Sequence, residues 1–247
     1  MINYKSEEDL KLMRVACEIT RDTLNEVKKH IKPNITTKEL DKIAHDYIVS
    51  RGATPSFLNY NGFPASICAS INEEIVHGIP GNKTLKEGDI ISVDVGACYK
   101  GFHGDAARTF PVGKIDAKKK RLIKVTEQSF FEGIKGLKAG AYVGDISHRI
   151  QNYVEKNGYS VVRELIGHGV GKNLHEDPDV PNFGRAGSGA KLNANATIAI
   201  EPMVNMGVRN VVFMPDGWTC VTLDGLPSAH YENTVLITQD GVEILTL

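Results

Sequence analysis

Apolar residues recur at helical spacing in four stretches of the chain and alternate with polar ones in the stretches between. Leu10, Met13, Cys17, Leu24, Val27 and Ile31 form the first helical stripe, at intervals close to one face of a 3.6-residue helix. Ser6-Glu-Glu-Asp9 ahead of it reads as a capping-box start, and Pro33-Asn34 as its stop. Thr36 with Glu39 caps a second helix carrying Leu40, Ile43, Ala44, Tyr47 and Ile48, and Gly52 ends it. From about Ser56 to Phe110 the pattern is strand and turn, with Asn61-Gly62 and Pro80-Gly81 as turn markers. Asp116 then precedes a third helix with Ile123, Phe130, Ile134 and Leu137 on one face. Gly140 and Gly144 break it before a fourth helix bearing Ile146, Ile150, Tyr153 and Val154.

The clearest alternation runs from Ile90 to Phe110. Ile91, Val93 and Val95 fall on one face, and Ser92, Asp94 and Gly96 on the other. Lys100-Gly101 supplies a turn, and the return run carries Asp105 on the same side as His103 and Thr109. That is a hairpin pattern. Asp in mid-strand is disfavoured, and a buried carboxylate without a partner is very costly. Two facing carboxylates repel, so a cation is the natural occupant. Ordinary exposed acids flanking a turn are the competing reading.

The helix pairs echo one another. Ile31-Lys32 matches Leu137-Lys138, Leu40 matches Ile146, Tyr47-Ile48 matches Tyr153-Val154 and Gly52 matches Gly158, all at one offset. Ile91-Ser-Val-Asp94 lies opposite Ile198-Ala-Ile-Glu201 with the offset grown by one. Two related halves, roughly 6–112 and 116–247, would each bring an acidic strand to a shared seam, where ligands often bind. No linker divides them, so the expectation is a single domain over 1–247.

Composition narrows the class. The chain has 247 residues, 41% of them hydrophobic and 24% charged, as in a globular protein with a real core. A formal net charge of -1 argues against nucleic-acid binding as the main task. The charged N-terminus has no apolar signal core, and no stretch reaches the length of a membrane span. Cys17, Cys68, Cys98 and Cys220 are scattered without a Cys-x-x-Cys. The expected location is the cytoplasm, with reduced thiols.

Five side chains read as metal ligands: Asp94, Asp105, His168 in Gly167-His-Gly-Val-Gly171, Glu201 in Ala199-Ile-Glu-Pro-Met203, and Glu232 in His230-Tyr-Glu-Asn-Thr234. The small neighbours of His168 leave room around its imidazole. Four carboxylates with one imidazole call for two divalent cations. An oxygen-rich set suits manganese, iron or cobalt better than a closed structural zinc site. Nucleotide readings fail: Lys172 stands where the dinucleotide fingerprint needs its last Gly, and Ile166 where a phosphate loop needs its first. There is no Gly-x-Ser-x-Gly elbow.

The order Asp94, Asp105, His168, Glu201, Glu232, with Asn72-Glu-Glu-Ile-Val-His77-Gly-Ile-Pro80 upstream, resembles the type I methionine aminopeptidases, in a bacterial-style short form, from about Ser6 to Leu247. The five-ligand pattern alone belongs to a wider group with prolidases and proline-specific aminopeptidases. His77-Gly-Ile-Pro80, Gly167-His-Gly-Val-Gly171, Cys68 and Trp218 narrow it. The resemblance implies an α/β (α+β) pita-bread fold, with two pseudo-symmetric halves around a central antiparallel sheet. It also implies removal of initiator methionine from nascent polypeptides whose second residue is small. Asp94, Asp105, His168, Glu201 and Glu232 would hold two divalent ions (Mn, Fe(II) or Co, with Zn as a further candidate), Asp105 and Glu232 bridging both. Glu201 would also be the general base. His77 would contact the scissile peptide nitrogen, and His175 would hydrogen-bond substrate and the tetrahedral intermediate. Tyr60, Phe63, Cys68 and Trp218 would line the methionine pocket. Supporting the ligands from behind is the plainer role for the two histidines, and core packing for Tyr60 and Phe63.

Competing functions are a proline-specific peptidase on the same fold and a binding protein of that fold that has lost its metals. Two positions depart from the family pattern: Asn233, on the opposite face from Glu232, and Lys191-Leu-Asn-Ala-Asn195 leading to the Glu201 strand. Lys118, Lys119, Lys120 and Arg121 put four cations at the start of the third helix, where the dipole disfavours them. A solvated basic turn is the plain reading. The sharper one is docking of a monomeric enzyme on ribosomal RNA.

Overall fold

A computed structural model describes all residues, 1–247. Its first helix, α1 (Glu7–His30), opens on a capping box in which Ser6 accepts from the Asp9 amide and Asp9 from the Ser6 amide. Thr36 and Glu39 do the same for α2 (Thr37–Ser50). Gly52 then turns the chain at φ 73°, a left-handed conformation that costs glycine little. The strands of this half are β1 (Thr54–Pro55), β2 (Ile67–Ile71), β3 (Glu74–Val76), β4 (Ile90–Tyr99) and β5 (Phe102–Pro111). β4 pairs antiparallel with β1, β2 and β5. Lys100 and Gly101 both take positive φ, the two-residue turn that suits a twisted hairpin.

The second half repeats this order with α3 (Ala117–Ile134), α4 (Val143–Lys156), β6 (Ser160–Val161), β7 (Gly167–Gly169), β8 (Glu176–Val180) and β9 (Thr197–Ile200). It continues through β10 (Met203–Asn205), β11 (Val211–Phe213), β12 (Cys220–Thr222), β13 (Ser228–His230), β14 (Asn233–Ile237) and β15 (Val242–Ile244). A five-stranded sheet runs β15-β14-β9-β7-β8, and two three-stranded sheets run β13-β10-β6 and β11-β12-β3. α2 and α4 are both 14 residues long, and their counterpart glycines, Gly52 and Gly158, both take positive φ. The internal echo is therefore structural.

Two expectations for this half are corrected. α3 ends at Ile134, so Leu137 lies beyond the helix and joins the core from the following turn, and one break falls elsewhere than expected. Gly144 lies inside the first turn of α4, where a Cβ would come within 2.3 Å of the Arg185 carbonyl oxygen. It admits a crossing loop and does not end a helix.

Each helix pair buries its stripe against its own sheet. Leu40, Ala44 and Ile48 pack with Ile91, Val93 and Val95 in one core; Ile146, Ile150 and Val154 pack with Ile198, Ile200 and Val235 in the other. The halves meet where Ala107 and Glu232 exchange backbone hydrogen bonds, 3.4 and 2.9 Å. The Thr234 hydroxyl reinforces that seam, accepting from the Asp105 amide and donating to the Asp105 carbonyl. No helix is long and apolar enough to cross a membrane.

Candidate active site

The seam places the candidate ligands. On β4 and β5, Asp94 is level with Ala107 and Asp105 with Gly96, so both carboxylates leave the same face of the hairpin. His168 is the register partner of Ala199, which directs it to the face that Glu201 reaches two residues later. Glu232 stands at the seam itself, immediately before β14. All five line one cavity of about 310 Å³. Ligand atoms of Asp105, His168 and Glu232 lie within 4.8 Å of one another.

The glycines beside His168 serve a different purpose from the one expected. A Cβ at Gly167 would come within 2.4 Å of the Ala199 carbonyl oxygen, and one at Gly169 within 2.1 Å of that of Asp177. They let neighbouring strands approach; the imidazole owes its room to the cavity.

Burial governs the electrostatics. It pushes the Asp94 carboxyl up to about 7 and Glu201 up to about 8, and holds Asp105 and Glu232 well above the usual carboxylate range, with neighbouring carboxylates adding to the effect. His168 is pushed down to about 3, again by burial first. Its Nδ1 faces the Gly169 carbonyl at 2.8 Å, which assigns the proton there. Nε2 then turns a lone pair towards Asp105 Oδ2 and Glu201 Oε1, each 3.7 Å away. These are contacts of a neutral ligand imidazole, not ion pairs. The cavity lining has no Lys or Arg, and Asp94 Oδ1 and Asp105 Oδ1 are buried without a hydrogen-bond partner. Four converging carboxylates, orphaned oxygens and one oriented lone pair fit divalent cations.

His77 and His175 reach the same cavity. His77 takes φ 59°, a strained conformation for a residue with a Cβ, and burial pushes its imidazole down to about 4. His175 is exposed on the rim, its Nδ1 2.7 Å from the Tyr60 hydroxyl and its ring against His168 with centroids 4.1 Å apart. Phe63 and Trp218 meet edge to face at 5.1 Å. Cys68 is the register partner of Asp94, and burial raises its thiol well above the ordinary value, so it stays a neutral apolar wall. Phe57 and Leu174, which the sequence did not single out, complete that wall.

His230 was also missed. It is 2% exposed, with Nε2 3.5 Å from Glu201 Oε2 and 4.0 Å from Glu232 Oε2. Its place two residues before Glu232 in an extended run was the available signal. Asn182 donates to the Glu201 carbonyl at 3.0 Å, with no local pattern to reveal it. Asn233 does point away from the cavity, its side-chain oxygen accepting from Arg108 and from the Thr246 hydroxyl. In the 191–195 approach, Lys191 bridges to Tyr142 and Asn195 takes φ 68°, a conformation in which Asn is enriched.

Metallopeptidase family M24 matches residues 11–239. A methionine aminopeptidase from Clostridium perfringens is 56% identical over 247 residues, covering 100% of this chain and 99% of that protein. The crystal structure of methionine aminopeptidase from Rickettsia prowazekii has a TM-score of 0.98 at 44% identity, with 100% of each chain covered. Prolidase from Pyrococcus furiosus has a TM-score of 0.81 at 22% identity, covering 99% of this chain and 65% of that one; that likeness shows the shared pita-bread fold. A helix-helix-sheet unit used twice, with acids from both copies at the seam, is thus accounted for by descent as well as by physics: the chain belongs to metallopeptidase family M24 and, within it, to the methionine aminopeptidases.

Proposed function

We infer that this chain hydrolyses the first peptide bond of polypeptides that begin with methionine. The observation that carries the reading is a carboxylate cluster at the floor of a pocket walled by Phe63, Trp218 and Cys68, where a thioether finds aromatic and sulfur contacts. Residues 1–247 act as one catalytic unit and as a single chain. Asp94 and Asp105 come from its first half, and His168, Glu201 and Glu232 from its second.

These five would hold two divalent ions, which supply an acidified water and a polarised scissile carbonyl. Oxygen-rich ligands favour manganese, iron(II) or cobalt over zinc. Glu201, kept ionised once the ions are bound, would take the proton of the attacking water and pass it to the leaving amine. His77 meets the scissile nitrogen. His175, held by Tyr60, donates to the developing oxyanion. The likeness to the methionine aminopeptidases implies a small second residue. In manganese or cobalt, Met-Ala-Ser is expected to be cleaved and Gly-Pro-Ala left intact. Cleavage at proline alone would assign the site to a proline-specific peptidase instead.

Docking on ribosomal RNA, as part of a cytoplasmic role, is supported by fewer cations than the sequence suggests. Lys119 Nζ donates to the Gly88 carbonyl at 2.7 Å. Arg121 donates to the Asn157 carbonyl at 3.0 Å and lies over the Tyr159 ring. Asp116 caps the helix by accepting from the Lys119 amide. Lys118 and Lys120 carry the reading that remains. Reversing both to Glu is expected to weaken cosedimentation with ribosomes at low salt and to leave Met-Ala-Ser hydrolysis unchanged. Undiminished cosedimentation would make the cluster a solvated helix start.

A further inference from the structure

The hairpin of β11 and β12 stands beside the cavity with an apolar outer face. Cys220 and Thr222 are buried, so Val221 and Leu223 point the other way, and Val221 is the register partner of Val212. On that face Val212 is 40% exposed, Met214 40% and Leu223 59%; Phe213, the register partner of Cys220, leaves the opposite face and is 57% exposed. Apolar side chains clustered this way on a surface mark a contact site.

The same hairpin has an open edge. β11 is the outer strand of its sheet. The Leu223 amide donates to the Asn210 carbonyl at 3.0 Å and the Met214 amide to the Thr219 carbonyl at 2.8 Å. Ladder bonds alternate in an antiparallel pair, so Val212 faces β12, while the backbone groups of Val211 and Phe213 face outward.

Both ends of the hairpin touch the cavity mouth. The β11–β12 turn leads into Trp218, which lines the cavity, as do Glu164 and Leu165. At the other end, Arg209 Nη1 lies 4.0 Å from Glu164 Oε1, and Val211 packs with Leu165 around Val76, Met203 and Cys220.

We propose that the β11 edge and the outer face of the hairpin dock the part of the substrate polypeptide that follows its second residue, as an added strand with apolar side chains. This rests on the aminopeptidase reading. A cavity of about 310 Å³ receives an N-terminal residue but not a polypeptide, so the rest of the chain leaves through the mouth beside β11. Strand addition supplies backbone hydrogen bonds for affinity and alternate side-chain contacts for selectivity. A second copy of this chain is a poorer occupant. β11 has three residues and Pro215 stands two residues past its end, too short an edge for sheet-to-sheet pairing. It suffices for a peptide already tethered by its first residue.

The test compares Met-Ala-Ser with two heptapeptides, Met-Ala-Ser-Val-Leu-Val-Lys and Met-Ala-Ser-Asp-Gly-Asp-Lys. KM is expected to be about fivefold lower for the apolar heptapeptide than for the polar one, the scale of burying roughly one side-chain methylene. N-methylation of alternate amides after the second residue should remove that advantage in the intact protein. Val212→Asp with Leu223→Asp should remove it too, leaving kcat/KM for Met-Ala-Ser unchanged. Equal KM values in the intact protein, or an advantage that survives both N-methylation and the double substitution, overturn the proposal. A concentration-dependent dimer that the substitutions abolish, with the KM ratio unmoved, assigns the face to a second copy and overturns it as well. If Met-Ala-Ser is not cleaved at all, the aminopeptidase reading fails first, and the docking proposal with it.

Discussion

Replacing Glu232 or Asp94 by alanine is expected to lower peptidase activity by on the order of a thousandfold or more, even with metal in excess. Either change removes an anionic ligand from the middle of the cluster and leaves its neighbours without the geometry they share. Glu232 has the further burden of the seam, where its backbone exchanges hydrogen bonds with Ala107. Those bonds belong to the main chain and survive the substitution, so loss of activity should not be loss of fold. His103→Ala is the control. His103 leaves the same face of the hairpin as Asp105, but its Nδ1 meets the Ser56 hydroxyl at 2.8 Å, and it does not line the cavity. Its loss should cost less than about threefold, a fraction of a kcal/mol at the barrier. Steady-state hydrolysis of Met-Ala-Ser, with circular dichroism on each variant, checks the contrast. Equal losses in all three would mean that the hairpin face, not the cluster, is what activity depends on.

Local chemistry made much of this legible in the sequence. Capping boxes at Ser6 and Thr36, the helical stripes apart from Leu137, which lies past the end of α3, and the Ile90–Phe110 alternation each depend on neighbours in the chain, and each reads true. The offset between Tyr47 and Tyr153 foretold two equal helices because both halves keep one stripe and one terminal glycine. The carboxylates that converge on the cavity were legible in part for a related reason: an Asp in the middle of an alternating strand is anomalous on its face. What stayed hidden depends on distant partners. Gly144, Gly167 and Gly169 are set by backbone approach from elsewhere, and no local pattern distinguishes that from a helix break or a roomy loop. Lys119 and Arg121 read as free cations until Gly88 and Asn157 are brought beside them. The strands between Met203 and His230 have three residues each, too short for a period to declare itself. The hairpin they build beside the mouth was therefore invisible before folding.

Chelation should destabilise the protein, and more so as the pH rises. Divalent ions that bind only the folded cluster stabilise it by mass action, about 2.7 kcal/mol at a hundred times the dissociation constant. For a chain of this length that corresponds to roughly 5–10 °C in Tm. The pH dependence follows from the same carboxyls. Without metal the folded state holds Asp94 at about 7 and Glu201 at about 8, against roughly 4 in an unfolded chain. Between those limits the folded protein binds protons that the unfolded chain has lost. Stability therefore falls as pH rises, through the window from the unfolded value up to about 8. His168 and His230, pushed down by burial to about 3 and about 4, act in the opposite sense, but only below about pH 6.5, where unfolded imidazoles take up protons. Between about pH 7 and 8 the carboxyls dominate, and the Tm of chelated protein should drop steadily. Unfolded imidazoles have by then shed most of their protons, and the thiols of Cys17, Cys68 and Cys220, raised by burial, part from the unfolded chain only nearer its value of about 8.5. Manganese-loaded protein should hold its Tm across that range, because the ions keep the carboxylates ionised in the folded state. Melting curves of both forms at the two pH values, with metal loss verified by elemental analysis, make the comparison. Superimposable curves would show that the four acids are not packed against one another, and the cluster itself would then be wrong.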